Sequence, residues 1–243
     1  MSNSSLVSCT LLSPNRTHPR SQAIDTITIH CVVGQVTALE GCRLFQSPSR
    51  NASCNYVVGR DGSIGLCVDE QDRSWCTGGT LVVNGMTGKM NDHRSVTIEV
   101  ACEPRHPYAV TEAAYEALIR LVADIAKRNG MGTLKWKADK SLVGKPGEQN
   151  MTVHRWFAKK ACPGDYLYAR MGEIAQRANE INDPAKEEAA MSDKNAPAAW
   201  AKEAWDKATA QGIVDGTRPW EPITRQEMAV VLERMGALEG GRA

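Results

Sequence analysis

Two alternating segments constrain the fold of this chain more than any other feature: residues 25–33 (DTITIHCVV) and 94–101 (RSVTIEVA). In the first, Ile27, Ile29 and Cys31 fall on one face, with Thr28 and His30 on the other. In the second, Val96, Ile98 and Val100 hold the apolar phase, opposite Thr97 and Glu99. A period of two marks a strand with one face in a core. If the two strands are neighbours in one sheet, His30 and Glu99 face the same cleft. Residues 55–68 (NYVVGRDGSIGLCV) set two apolar runs about Asp61-Gly62, a favoured tight-turn pair, and predict a hairpin. Residues 111–129 carry Leu118, Leu121, Val122 and Ile125 at helical spacing and stop before Gly130. Shorter helices are expected at 37–45 and 164–178. Strands interleaved with helices predict an α/β domain, a mixed central β-sheet flanked by helices.

With 243 residues there is room for one full domain and a small second one. The composition changes near Asn179, where a polar, alanine-rich stretch with two prolines reads as a linker. The expected division is therefore a domain over 1–178, a linker over 179–197 and a small α-helical module over 198–243. In that module Thr224 is a good N-cap, and Glu227 three residues on completes a capping box. About forty-five residues are marginal for independent folding, so self-association or packing on the first domain is expected.

A formal charge of +1 without a long basic run argues against a nucleic-acid partner. No stretch approaches the roughly 18 consecutive apolar residues of a membrane span. The first residues lack the charged and apolar regions of a signal peptide, so the expected site of accumulation is the cytoplasm. In a reducing compartment the eight cysteines read as buried thiols with a metal ligand among them, rather than as disulfides. Cys31, Cys67 and Cys102 are expected as small core fillers. No CxxC pair occurs, which argues against a structural zinc ribbon.

His30, His154 and Cys162 form the candidate metal set, the last two with seven residues between them in TVHRWFAKKACPG. Imidazole and thiolate are preferred zinc ligands, and a three-ligand set leaves a fourth position for water, the arrangement of a catalytic zinc. Such a water becomes a nucleophile near neutral pH. His93 and His106 read as loop or surface histidines.

Five segments, ITIHCVVG, ASCNYVVGRDGSIG, DRSWCTGG, RSVTIEVA and MTVHRWFAKKACPG, lie in one order across about residues 24–175. Together they resemble the zinc-dependent type-2 N-acetylmuramoyl-L-alanine amidases, which include peptidoglycan recognition proteins and phage endolysins. The resemblance implies Zn2+ as cofactor, held by His30, His154 and Cys162. It implies Lys160 as the group that steadies the oxyanion and Glu99 as the base on the attacking water. The implied substrate is peptidoglycan, at the amide joining N-acetylmuramic acid to L-alanine. Two positions depart from the family. Cys54 stands where many relatives carry a tyrosine near the metal, with Tyr56 then facing the core. Trp75-Cys76 replaces a common Trp-His pair, and Cys54 and Trp75 are the expected substrate-binding residues.

The last segment resembles a single S-layer homology repeat through Trp200, Trp205, Gly212-Ile213-Val214-Asp215-Gly216 and Pro222-Ile223-Thr224-Arg225-Gln226-Glu227. That resemblance implies binding of a secondary cell-wall polymer, with Trp200, Thr224 and Arg225 as the expected contacts. The competing reading is a homo-oligomerisation module whose tryptophans fill its own core. The combined expectation is a phage or prophage endolysin, stored in the host cytoplasm and acting on the wall once the membrane is permeabilised. A host autolysin and a catalytically inactive peptidoglycan-binding protein are the alternatives.

Overall fold

A computed structural model describes residues 3–183, 197, 201–217 and 223–237. The chain divides into two compact units, Met1–Asn182 and Asp183–Ala243. Within the first, eight strands are formed: β1 (Cys9–Thr10), β2 (Arg16–Thr17), β3 (Thr26–Val33), β4 (Tyr56–Val58), β5 (Ile64–Leu66), β6 (Arg73–Ser74), β7 (Ser95–Cys102) and β8 (Met151–Val153). Six of them make one sheet in the order β1-β5-β4-β7-β3-β8, while β2 and β6 form a separate antiparallel pair. In the main sheet only the β4–β5 pairing is antiparallel. That pair is the expected hairpin, closed by the Gly62 N–H on the Gly59 carbonyl at 3.0 Å, with Gly62 at φ +80°.

Four helices accompany the sheet: α1 (Ala38–Arg43), α2 (Gly88–Arg94), α3 (Glu112–Arg128) and α4 (Gly164–Ile181). Thr111 caps α3 by accepting from the Ala114 N–H. Beyond its end the Met131 N–H returns to the Ala126 carbonyl, with Gly130 at φ +61°. This is the left-handed stop that glycine permits. Ile27 and Ile29 of β3 and Val96, Ile98 and Val100 of β7 share a core with Leu118, Leu121, Val122 and Ile125 of α3 and Leu167, Met171 and Ile174 of α4. The apolar phase of both long strands thus faces these two helices.

The opposite, polar phase is also buried. The Thr28 and Thr152 hydroxyls meet at 2.8 Å, the Asn91 amide of α2 donates to Thr28 Oγ1, and Thr152 donates back to Asn91 Oδ1. On the next strand Thr97 Oγ1 pairs with Ser74 Oγ at 2.7 Å, and Thr97 also donates to Asn55 Oδ1. A buried polar layer is stable when each group finds a partner, and here these do.

Several expectations change. Helix α2 has no counterpart in the sequence reading, because seven residues beginning with glycine offer no helical periodicity. Helix α4 runs three residues past the expected end at Ala178, into the segment read as linker. Cys31, read as a core filler, is only half buried. In the second unit α5 (Lys202–Ala210) and α6 (Arg225–Arg234) are described, and neither buries a residue. Thr224 caps α6 with the anticipated capping box to Glu227. Arg234 ties α6 to the preceding turn through the Gly212 and Ile213 carbonyls. No helix among the described residues is long and apolar enough to cross a membrane.

Because the Thr28–Thr152–Asn91 triad is closed, Thr152→Val leaves Asn91 Oδ1 without its donor at nearly constant side-chain volume. The expected loss is about 2 kcal/mol of unfolding free energy, read from urea denaturation. A loss below about 0.5 kcal/mol would show that the triad is not closed in solution.

Candidate metal centre

Strand register places the site. The last pairing of β3 with β8 is Ile29 with Val153, so His30 continues β3 while His154, the first residue past the end of β8, opens a short 3-10 turn (His154–Trp156) beside it. On the other side of β3, His30 pairs directly with Glu99 of β7. Two neighbouring strands therefore set Glu99 and His30 side by side on the polar face of the sheet, and the turn that ends β8 adds His154 next to them. The two imidazoles lie with centroids 4.9 Å apart at 59°.

Cys162 arrives from the turn that precedes α4. Because β8 stops at Val153, the Cys31 N–H has no strand partner on that side. It donates instead to Cys162 Sγ at 3.3 Å, which brings the sulfur to 3.6 Å from His30 Nδ1. His30, His154 and Cys162 each offer a ligand atom within 4.8 Å of the others, so the three could hold a metal ion. His30, Cys76 and Glu99 form a second such group that shares His30. Two imidazoles and a thiol suit a borderline-soft divalent cation, and three ligands leave room for a fourth.

Burial sets the protonation behaviour. Desolvation, aided by His154 and Lys160, drives His30 well below the usual histidine range, and burial lowers His154 as well. Both are therefore neutral near pH 7, the form that ligates. Burial pushes the Cys162 thiol up, and the Cys31 N–H opposes that shift. Glu99 is pushed up to about 7, mainly by burial. Its Oε1 faces the Cys76 thiol at 3.6 Å, while its Oε2 is buried with no hydrogen-bond partner. The residue as a whole is half buried, with Oε2 itself out of solvent. Lys160 is exposed, and its charge acts on His30, His154 and Glu99.

The segment 76–79 runs over both histidines. His30 Nε2 lies 3.2 Å from Thr77 Oγ1, and His154 Nε2 lies 2.8 Å from the Gly78 carbonyl. Asp92 of α2, buried and pushed up to about 6, accepts from the Cys76 and Thr77 N–H groups at 3.0 and 2.8 Å. Neither Thr77 nor Asp92 was singled out on the sequence. One signal, the change from Trp-His to Trp75-Cys76, marked the segment without pointing to either.

The remaining expected residues divide. Cys54, expected against substrate, is 0% exposed and packs with Cys42, Phe45, Val57 and Cys67. A thiol sealed in that small core does not reach a substrate, so this expectation is corrected. Tyr56 is core-facing as expected, with its hydroxyl donating to Glu70 at 2.6 Å. Trp75 is half buried, and its indole N–H donates to Thr17 Oγ1. His93 accepts from the Ser21 N–H and His106 pairs with Asp165 at 2.7 Å, both away from the metal group. In the second unit Thr224 and Arg225 are exposed at the start of α6, while Trp200 lies outside the described residues.

Residues 20–165 match the family profile described as N-acetylmuramoyl-L-alanine amidase. The fold is similar to that of an AmpD derivative (TM-score 0.50, 19% identity, covering 71% of this chain and 96% of that one). It is also similar to PlyL (TM-score 0.52, 14% identity, 70% and 94%). At these identities the likeness shows the fold alone. No curated protein matches the sequence. The family match spans more than half of the chain and takes in His30, Glu99, His154 and Cys162, and on that ground this chain belongs to the type-2 N-acetylmuramoyl-L-alanine amidase family.

Proposed function

We propose that the protein is a zinc-dependent endolysin, cleaving the amide between N-acetylmuramic acid and L-alanine in bacterial peptidoglycan. The observation that carries this reading is the convergence of His30, His154 and Cys162 within 4.8 Å inside the family match. These three residues hold the zinc. Bound there, zinc supplies Lewis-acid polarisation of the scissile carbonyl and makes a water molecule acidic enough to attack it.

The chain's own groups do the rest. Glu99 takes the proton from the attacking water, since its Oε2 is unpartnered and its elevated affinity for protons matches a base working near pH 7. Lys160 stands at the exposed rim and sets a positive charge against the negative charge that grows on the carbonyl oxygen. Trp75, half buried beside the 76–79 segment, forms part of the groove for the glycan or the peptide stem.

The domain reading is an amidase over 1–178, a linker over 179–197 and a wall-directed module over 198–243. The module's resemblance to an S-layer homology repeat supports binding of a secondary cell-wall polymer, with Trp200 and Arg225 as contacts. Thr224 is also engaged as the N-cap of α6, so its contribution is to orient Arg225. Self-association through the same module is the companion possibility. Release of a phage-encoded enzyme through a permeabilised membrane completes the reading.

Cys162→Ser is expected to lose bound zinc and to stop release of L-alanine amino termini from purified walls. Unchanged zinc content together with unchanged release would overturn the ligand assignment. Lys160→Ala should keep its zinc and lose on the order of 10²-fold in kcat, so a wild-type kcat would remove Lys160 from the mechanism. A chain ending at residue 182 should retain activity on soluble muropeptides and lose it selectively on intact walls. Equal activity on both substrates would leave the second unit with no role in wall targeting.

A further inference from the structure

We propose that the Thr77-Gly78 segment, mounted on Asp92 of α2, fixes the tautomer and orientation of both metal-binding histidines. The inference rests on the reading that His30, His154 and Cys162 are the ligands. It adds positioning residues that the family match does not assign.

A neutral imidazole carries one N–H and one lone pair, and only the lone pair can bind a cation. The Gly78 carbonyl can only accept, so at 2.8 Å it requires the hydrogen of His154 on Nε2 and leaves Nδ1 as the lone pair. His30 presents Nδ1 to Cys162 Sγ at 3.6 Å and Nε2 to Thr77 Oγ1 at 3.2 Å. With Nδ1 as the ligand atom, the Nε2–H of His30 donates to the Thr77 hydroxyl. The same residue is fixed through its backbone, because the Asp92 carboxylate accepts from the Cys76 and Thr77 N–H groups and so holds the Thr77 hydroxyl beside His30. Adjacent residues on one loop thus select the same tautomer in two histidines 124 positions apart in the chain.

The loop is held where backbones nearly touch. A Cβ on Gly88, the first residue of α2, would stand 1.7 Å from the Thr77 carbonyl oxygen. A Cβ on Gly79, at φ +156°, would stand 2.1 Å from the Phe157 carbonyl oxygen. Helix α2 therefore fastens the loop twice, through Gly88 by close approach and through Asp92 by hydrogen bonds at 3.0 and 2.8 Å to the Cys76 and Thr77 N–H groups. Thr77, Asp92 and His30 are all buried, so water does not substitute for these contacts. Hydrogen-bond partners behind ligating histidines change metal affinity by about 10- to 100-fold when removed.

The test uses the full chain, stripped of metal and titrated with zinc against a chromogenic chelator. Thr77→Val, which keeps the shape and removes the hydroxyl, should bind zinc about 10- to 100-fold more weakly, and Thr77→Ser should restore wild-type affinity. Thermal melts of the metal-free variants separate this from unfolding: Thr77→Val should melt below Thr77→Ser, because it leaves the buried His30 N–H unpaired, and both should stay folded at the titration temperature. Nitrogen-15 NMR of the metal-free wild type gives a readout that needs no variant to fold. His30 and His154 should both appear as the Nε2–H tautomer, and the Nδ1–H form in either would overturn the inference. Wild-type affinity in Thr77→Val, with zinc bound by the wild type, would sink this inference alone. A wild-type chain that takes up no zinc would overturn the ligand reading, and this inference with it.

Discussion

The whole site depends on the register of β3 between β7 and β8. Pairing of His30 with Glu99 sets two side chains of the candidate site side by side, and pairing of Ile29 with Val153 brings the turn carrying His154 up to them. Side chains alternate across a strand, so a slip of one residue would send His30 into the apolar layer beneath α3 and α4. That slip is blocked from both sides of the sheet. On one side Ile27, Ile29 and Ile98 are sealed in the core; on the other, the Thr28–Thr152–Asn91 triad closes only in the observed register. The premature end of β8 matters as much as the pairing itself. It frees the Cys31 N–H for the Cys162 sulfur, so the third member of the candidate metal group is recruited by a strand edge left open at that level.

Burial then gives these groups their chemistry. Removing His30 and His154 from water disfavours their charged forms and leaves neutral imidazoles, while Lys160 at the rim pushes in the same direction. The same desolvation raises Cys162 and Glu99, which disfavours their anions in the absence of a cation. A cluster that holds two neutral imidazoles beside two groups reluctant to ionise is short of positive charge. A divalent ion held there, as proposed, would relieve that shortage, and its binding would release the thiol proton.

The fold was legible in the sequence where periodicity was strong, as in the two alternating strands, the hairpin about Asp61-Gly62 and the helix ending before Gly130. The polar phase of the strands could be read, yet its burial could not, because the cover is α2, whose seven residues carry no amphipathic signal. His30, His154 and Cys162 could be grouped by ligand type, and the structure supplies the strand ends that bring them together. Cys54 was misplaced for a reason that side-chain size explains. A tyrosine in its place would carry a ring and hydroxyl outward, whereas a thiol is small enough to close over with Cys42, Phe45, Val57 and Cys67. Thr77 and Asp92 were illegible because their partners are distant in sequence and one contact runs to backbone.

Of the cysteines in this part of the chain, Cys76 is the one that meets Glu99. Cys54 packs in the small core of Cys42, Phe45, Val57 and Cys67, whereas Cys76 offers Glu99 Oε1 a thiol at 3.6 Å. A thiol is a weak donor, so it offsets little of the desolvation that burial imposes on a carboxylate. An imidazolium in place of Cys76 would hold the carboxylate as an anion more firmly and lower its affinity for protons. With a thiol there, one carboxylate oxygen is unpartnered and the group is poised near 7. The change from Trp-His to Trp75-Cys76 therefore leaves His30, His154 and Cys162 in place and falls on the protonation of Glu99.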